Sequence, residues 1–159
     1  MKTANCVRLM LTALACAALA TAEQPCLKKA WAAYNRGDYA LAIAAADGCV
    51  EDFGPKALKD QVLYGDMRES VPPTGTVDAA SDRKRLLDRW AVNDVSAAFF
   101  VKGRSAEALY GKLKLVKYKQ IALRAYQSAV KLSFGRCWDP QGWFWSPAEA
   151  AGDRISALE

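Results

Sequence analysis

Apolar side chains recur at spacings of three and four along most of the chain, which is the period of an α-helix with one buried face. Stripes of this kind occupy residues 39–53, 86–101 and 121–130, and the middle stripe is apolar on two faces. A helix that is apolar on two faces is typical of an inner helix packed between neighbours. No segment alternates convincingly between apolar and polar residues, so the pattern predicts an all-α protein.

Glycine, proline and capping residues predict where the helices end. Gly54-Pro55 is expected to end the second helix and begin the third, and Lys102–Ser105 is expected to form a tight turn. The segments 71–76 and 133–142 predict longer connections, and Ser146–Glu149 is a capping box that starts a last helix ending near Leu158. These breaks predict about eight helices in antiparallel pairs. The four hairpins are placed near 25–53, 56–90, 92–116 and 118–158.

Residues 1–22 have the parts of a secretory signal peptide. Lys2 and Arg8 precede an apolar run that ends in Ala20-Thr21-Ala22, an A-x-A cleavage site. We therefore expect cleavage before Glu23, export to the bacterial periplasm and a single domain over residues 23–159. The alternative is a lipoprotein modified at Cys16, although Arg8 would leave it only a short apolar run. No later stretch is long and apolar enough to predict a transmembrane helix.

Charge and missing residue types exclude several functions. The full chain has 22 Lys and Arg against 17 Asp and Glu, a net charge of +5, and a surplus this small without a basic stripe argues against nucleic-acid binding. In Lys112–Lys119 the lysines alternate with apolar residues, which favours a solvated helix face over a surface for anionic partners. The chain has no histidine. A Ser-His-Asp triad, a Cys-His dyad and a His-based zinc site are therefore excluded, and we expect neither metal nor cofactor.

The spacing of the cysteines predicts one disulfide. Cys26 and Cys49 lie nearly equally far from a turn centred on Gly37, and equidistant residues of an antiparallel helical hairpin lie side by side. In an oxidising compartment we expect them to form a bridge and Cys137 to stay unpaired. Without a neighbouring base, Cys137 is a poor candidate nucleophile.

Two segments resemble tetratricopeptide repeats. Gly37–Ile43 looks like the turn and second helix of such a repeat, and Lys102–Leu109 has the same shape with Ser105 in place of the usual aromatic residue. The two turn glycines, Gly37 and Gly103, are separated by close to two repeat lengths, which leaves room for a hidden copy at 56–90. The resemblance implies a short α-solenoid of stacked helical hairpins. The segment 135–145 departs from it altogether.

The same resemblance implies a concave groove that binds extended peptides. The groove positions carried over to this chain are aromatic, amide and charged residues that could line such a groove, with asparagines able to clamp a peptide backbone. They are Trp31, Tyr34, Asn35, Asp60, Tyr64, Arg68, Trp90, Asn93 and Phe100. For Trp90 and Phe100, a place in the interhelical core is the alternative.

Three of the five tryptophans fall within eight residues near the C-terminus. Trp138, Trp143 and Trp145 stand beside Asp139, and aromatic platforms next to carboxylates are common in sugar-binding sites. The favoured interpretation is instead an apolar plug that closes the end of the helical stack. Glycoside hydrolysis needs two placed carboxylates. No spacing selects a pair among Asp139, Glu149 and Asp153, so we expect no enzymatic activity.

The sequence therefore predicts a periplasmic, non-catalytic binding or scaffold module for a peptide or protein of the cell envelope. The alternative is a carbohydrate-binding or carbohydrate-active envelope protein that uses Trp138, Asp139, Trp143 and Trp145. The direction in which the aromatic side chains point distinguishes them. Trp31, Tyr64 and Phe100 lining one groove would favour a peptide, whereas exposed Trp143 and Trp145 beside Asp139 would favour a sugar.

Overall fold

A computed structural model describes residues 23–159 of the chain, so the predicted signal peptide and the alternative lipidation at Cys16 lie outside the described residues. The described part is mostly helical, as the periodicity predicts, and contains six helices and one small β-hairpin. The elements are α1 (Pro25–Asn35), α2 (Tyr39–Asp66), α3 (Ala80–Asp88), α4 (Trp90–Leu113), α5 (Val116–Val130), β1 (Cys137–Asp139), β2 (Trp143–Trp145) and α6 (Pro147–Leu158).

Helices α1 and α2 form the predicted antiparallel hairpin. Gly37 adopts a φ of +78° at the turn, a conformation that glycine tolerates, and the Asp38 carboxylate caps α2 by accepting from the Leu41 N–H at 3.2 Å. Cys26 and Cys49 are joined by a disulfide with a Cα–Cα distance of 5.5 Å, and Cys137 is a free cysteine. The cysteine prediction is therefore confirmed.

Helix α2 does not end at Gly54-Pro55, so that predicted break is wrong. The helix continues for 28 residues with Pro55 inside it. A proline in a helix interior costs about 3 kcal/mol because it removes a hydrogen bond and crowds the preceding turn. Both halves of α2 nevertheless bury small side chains, since Ala46 and Ala57 are fully buried in two different core clusters. The packing along the full helix outweighs the local preference to stop.

The tight turn predicted at Lys102–Ser105 is also wrong, because α4 runs without interruption from Trp90 to Leu113. Gly103 allows a close helix crossing: a Cβ atom there would overlap the ring of Tyr126, a fully buried residue of α5. The solenoid prediction rested on turns at both Gly37 and Gly103, and only Gly37 lies in a turn. Stacking of tetratricopeptide-like hairpins is not confirmed.

Helix α4 is the inner helix of the fold, as its two apolar faces predict. It contacts all five other helices. Its fully buried residues include Val92, Val95 and Val101, and it also buries Asn93 and Asp94. No helix in residues 23–159 has the length and apolar character needed to cross a membrane.

The segment 135–145 forms an antiparallel hairpin, which the sequence analysis did not predict. Cys137 pairs with Trp145, Trp138 with Phe144, and Asp139 with Trp143. The mid-chain loop, residues 71–76, pairs with one edge of this hairpin. The Gly75 N–H donates to the Phe144 carbonyl at 2.8 Å, and the Phe144 N–H donates to the Gly75 carbonyl at 2.9 Å. The segments 71–76 and 135–145, which are far apart in sequence, therefore form one small β-structure that packs against α4. The last helix begins after Ser146, as predicted. The Ser146 hydroxyl caps it by accepting a hydrogen bond from the Glu149 N–H at 3.2 Å.

Candidate functional site

A cleft of about 950 Å³ opens between α1, α4, the β-hairpin and α6. All five tryptophans of the chain contribute to the lining of this cleft. They come from three parts of the chain that are distant in sequence: α1, α4 and the β-hairpin. The tryptophans are Trp31, Trp90, Trp138, Trp143 and Trp145.

Three of the aromatic rings pack into one cluster at the base of the cleft. Trp145 lies 5.4 Å from Phe100 and 6.4 Å from Trp31 between ring centroids, and both pairs are arranged edge to face. This geometry is favourable for aromatic rings because a positive edge meets a negative face. The cluster joins α1, α4 and the hairpin, so Phe100 and Trp145 act mainly as packing residues that hold the cleft in shape.

Two other tryptophans are partly exposed to solvent in the cleft. Trp138 is 43% exposed and Trp143 is 39% exposed. Asp139 is the register partner of Trp143, so the carboxylate and the indole project from the same face of the hairpin. The predicted plug is therefore divided: Phe144 is fully buried and Trp145 packs on the core, whereas Trp138 and Trp143 present apolar surface to the cleft.

Arg136 anchors the hairpin from inside the protein. It is only 2% exposed, and its guanidinium donates to the carbonyls of Pro72, Ser133 and Gly135 and to the Ser146 hydroxyl. Burial lowers the pKa of Arg136, but its ordinary value is so high that the side chain stays charged. The carbonyl oxygens satisfy this buried charge, and in return it ties the mid-chain loop to the hairpin and to α6.

The residues lining the cleft carry more negative than positive charge. Among the described residues that line the cleft, Arg136 is the one cation, and its guanidinium N–H groups donate to carbonyls of the protein itself. Its lining carboxylates are Glu23, Asp94, Asp139, Glu149 and Asp153. The side chain of Glu149 is 66% exposed. An aromatic cleft bordered by carboxylates favours ligands that are rich in hydrogen-bond donors or positively charged, and disfavours polyanions.

Asp94 is the most perturbed carboxyl group of the cleft. Burial raises its pKa to about 6, an effect that the nearby Glu23 reinforces and that the hydrogen bond from the Gln24 N–H, at 3.1 Å, opposes. Burial also raises the pKa of Glu23, with Lys28 acting in the opposite direction. The sequence analysis did not select either residue. The available signal for Asp94 was an acidic residue between Val92 and Val95 in the helix that is apolar on two faces.

The surroundings of Cys137 favour the neutral thiol over the thiolate. Burial raises its pKa well above the ordinary value, and the charges of Asp94 and Glu23 act in the same direction. The thiol donates to the Asn93 carbonyl with a sulfur–oxygen distance of 3.4 Å. These surroundings disfavour a thiolate, so the side chain is unsuited to nucleophilic chemistry. In the part of the chain described, no three His, Cys, Asp or Glu side chains are grouped closely enough to hold a metal ion.

The structure separates the predicted groove residues into two sets. Five of the nine line the cleft: Trp31, Asn35, Trp90, Asn93 and Phe100. The other four, Tyr34, Asp60, Tyr64 and Arg68, do not line it.

The excluded residues have partners or positions elsewhere. Tyr64 packs on Phe134 at 5.6 Å between ring centroids, beneath the guanidinium of Arg89, and Asp60 pairs with Lys56 at 2.8 Å. All four predicted sugar-site residues do line the cleft. The two alternative sites of the sequence analysis therefore converge on one surface.

Asn93 lines the cleft but its amide is already engaged. Its Nδ2 donates to the Leu86 carbonyl and its Oδ1 accepts from the Arg136 N–H, both at 2.8 Å. The side chain is 6% exposed. Asn93 is therefore a structural amide that joins α4 to the hairpin, and a role as a clamp for a peptide backbone would require these bonds to break. Asn35, by contrast, is exposed.

No protein-family model, curated protein or solved structure matches this chain, so the chemistry of its own cleft is the evidence for function.

Proposed function

We propose that the protein is a non-catalytic carbohydrate-binding module that holds an oligosaccharide in the tryptophan-lined cleft. The observation that carries the proposal is the pairing of a partly exposed indole with a carboxylate across the hairpin, Trp143 beside Asp139. Trp138 lies on the other face of the hairpin against Phe144 and adds a second partly exposed indole to the lining of the cleft. Sugar rings present apolar C–H faces and polar hydroxyl edges. An indole covers the face, and a carboxylate accepts hydrogen bonds from the hydroxyls.

The cleft also has the size and rigidity that such a ligand needs. A volume of about 950 Å³ is at the upper end of ordinary small-molecule sites. The base is fixed by the aromatic cluster of Trp31, Phe100 and Trp145, and the hairpin is fixed by Arg136. A preformed site loses little conformational entropy when a ligand binds.

A peptide ligand is the second candidate, and the sequence favoured it. Less supports it now, because Tyr64 lies away from the cleft and the Asn93 amide is already bonded within the protein. An extended cationic peptide would still suit the carboxylates and the indoles. The location of the protein stays a proposal as well: the Cys26–Cys49 disulfide is compatible with secretion into an oxidising compartment such as the periplasm.

Calorimetric titration with defined probes tests the proposal. The probes are cellohexaose and chitohexaose as neutral oligosaccharides, a hexamer of galacturonic acid as an anionic one, and an alternating Lys-Tyr hexapeptide. We expect a neutral hexaose to bind and the uronate to bind at least tenfold more weakly, because the cleft carboxylates repel it. Binding of the peptide with no response to either neutral sugar would contradict the proposal.

Two matched variants locate the binding. Trp143→Ala removes a partly exposed indole of the cleft and should weaken hexaose binding about tenfold, the order expected for one aromatic contact. Tyr118→Ala, which removes an aromatic residue outside the cleft, should leave it unchanged. Assay of the same mixtures for new reducing ends tests the expected absence of hydrolysis.

A further inference from the structure

We propose that the turn between α4 and α5 binds the surface of a bilayer that contains anionic phospholipid. This segment, residues 112–119, is called the tip. Three apolar residues of the tip are strongly exposed: Leu113 by 50%, Leu115 by 47% and Val116 by 61%. These three residues lie within four positions at the turn between the two helices. Every residue from 111 to 117 is exposed.

The lysines of the tip surround these apolar side chains. Lys112, Lys114, Lys117 and Lys119 all fall within eight residues, and none of them forms an ion pair in the described chain. Lys114 ends α4 in a left-handed conformation with a φ of +57°. Glycine is the favoured residue at such a position, but this chain has a lysine there. Lys112 and Lys117 lie over the rings of Tyr39 and Tyr118.

The surrounding sequence strengthens this positive charge. No Asp or Glu occurs between Glu107 and Asp139, an interval that includes the whole of α5. Arg124 and Lys131 extend the basic character along that helix. An anionic membrane surface attracts such a segment by about 1 kcal/mol per lysine or arginine.

Charge complementarity selects the partner of the tip. A nucleic acid or a soluble polyanion would use the lysines but would leave the exposed leucines and valine in water. A lipid surface uses both, because lysines meet the headgroups while the apolar side chains enter the boundary with the acyl chains.

A second exposed apolar set on α2 differs in its charges. It includes Leu58 and Val62, but residues of both charge signs flank it, with Lys56 and Lys59 balanced by Asp60 and Asp66. This surface has no net attraction for anionic lipid, which makes it a matched control for the tip.

Vesicle co-sedimentation tests the proposal, using purified protein whose N-terminus has been defined by intact mass. Vesicles of equal parts phosphatidylglycerol and phosphatidylcholine are compared with pure phosphatidylcholine at low and at physiological salt. Lys114→Gln with Lys117→Gln should weaken binding to the anionic vesicles about 30-fold, the equivalent of about 1 kcal/mol for each lysine. The control pair Lys28→Gln with Lys29→Gln, on exposed positions of α1, should change it less than twofold.

The apolar contribution is tested separately by Leu115→Ser with Val116→Ser, compared with Leu58→Ser and Val62→Ser. We expect about a tenfold loss for the tip variant, because buried apolar area supports binding at the interface, and no loss for the α2 variant. Equal binding to the two vesicle types would overturn the proposal. Unchanged vesicle binding by the serine variant of the tip, together with heparin binding that depends on the lysines, would also overturn it and indicate a polyanion partner. Unchanged thermal unfolding verifies that each variant is folded.

Discussion

The cleft and the tip both expose apolar surface, but the chemistry around that surface is opposite. In the cleft, the partly exposed Trp138 and Trp143 stand among carboxylates, on a hairpin anchored by a buried arginine. At the tip, Leu113, Leu115 and Val116 stand among lysines on a turn that, within residues 23–159, has no buried polar side chain anchoring it as Arg136 anchors the hairpin. Flat rings with acceptors suit a sugar, and aliphatic side chains with cations suit an anionic surface. Exposed hydrophobicity alone would not distinguish these two partners.

The largest effect should follow removal of the arginine that holds the cleft wall. Arg136→Met deletes the donor to the carbonyls of Pro72, Ser133 and Gly135, of which Pro72 and Gly135 belong to buried residues. We expect unfolding free energy to fall by about 4 kcal/mol, since breaking a buried charged network leaves unpaired polar groups. Denaturant unfolding measures the loss. Arg124→Met, at an exposed position of α5, is the control and should change stability by less than about 0.5 kcal/mol.

Loss of the disulfide should destabilise the α1 side of the cleft next. Cys26→Ser with Cys49→Ser opens a loop whose ends are separated by 23 positions, and chain entropy predicts a loss of about 3 kcal/mol. Urea unfolding of the oxidised protein and the double variant measures it. Cys137→Ser, which affects the free cysteine, separates loss of the bridge from loss of a thiol. Equal effects of the two changes would contradict the structural role of the bridge.

The tryptophans of the hairpin should differ sharply from one another. Trp145→Ala removes a ring that packs on Trp31 and Phe100 and should cost about 3 kcal/mol, as other large-to-small core changes do. Trp143→Ala should cost less than about 1 kcal/mol because its ring is partly in water. The melting temperatures of the two variants test this difference. A large loss for Trp143→Ala would restore the plug interpretation for the whole segment.

A smaller, pH-dependent effect should come from Asp94. Its pKa is raised from 3.8 to about 6 in the folded protein, so folding takes up a proton between these values. The ionisation of Asp94 therefore lowers stability as the pH rises from about 4 to about 6, and this contribution is constant outside that window. We expect a loss of about 2 kcal/mol, less than the full shift implies because the cleft admits solvent. Asp94→Asn should flatten this slope in unfolding experiments from pH 4 to 7, whereas Asp153→Asn, at an exposed position, should retain it.

Sequence reasoning predicted the parts of this fold that depend on local chemistry. The turn at Gly37, the Cys26–Cys49 pair and the cap at Ser146 all follow from residues close to one another in sequence. The breaks at Pro55 and Gly103 failed because tertiary packing overrode local signals: Ala57 is buried beyond the proline, and the glycine admits Tyr126.

The candidate site was predictable only in part for the same reason. The tryptophan segment was visible as a composition, and its residues do line the cleft. The contributions of Glu23, Asp94 and Arg136 depend on contacts across large sequence separations, such as the 70 residues between Gln24 and Asp94. Periodicity identifies the face of a helix, but it does not indicate which loop will cover that face.

The indole N–H signals in a two-dimensional nitrogen–proton NMR spectrum test the central claim most directly. The chain has five tryptophans and all of them line the cleft, so each indole signal, assigned by a single Trp→Phe variant, reports on it. During titration with cellohexaose or chitohexaose, we predict that the signals of Trp138 and Trp143 shift most and saturably, while backbone signals of residues 112–119 stay in place. Unmoved indole signals with both sugars, or shifts confined to the tip, would contradict the account.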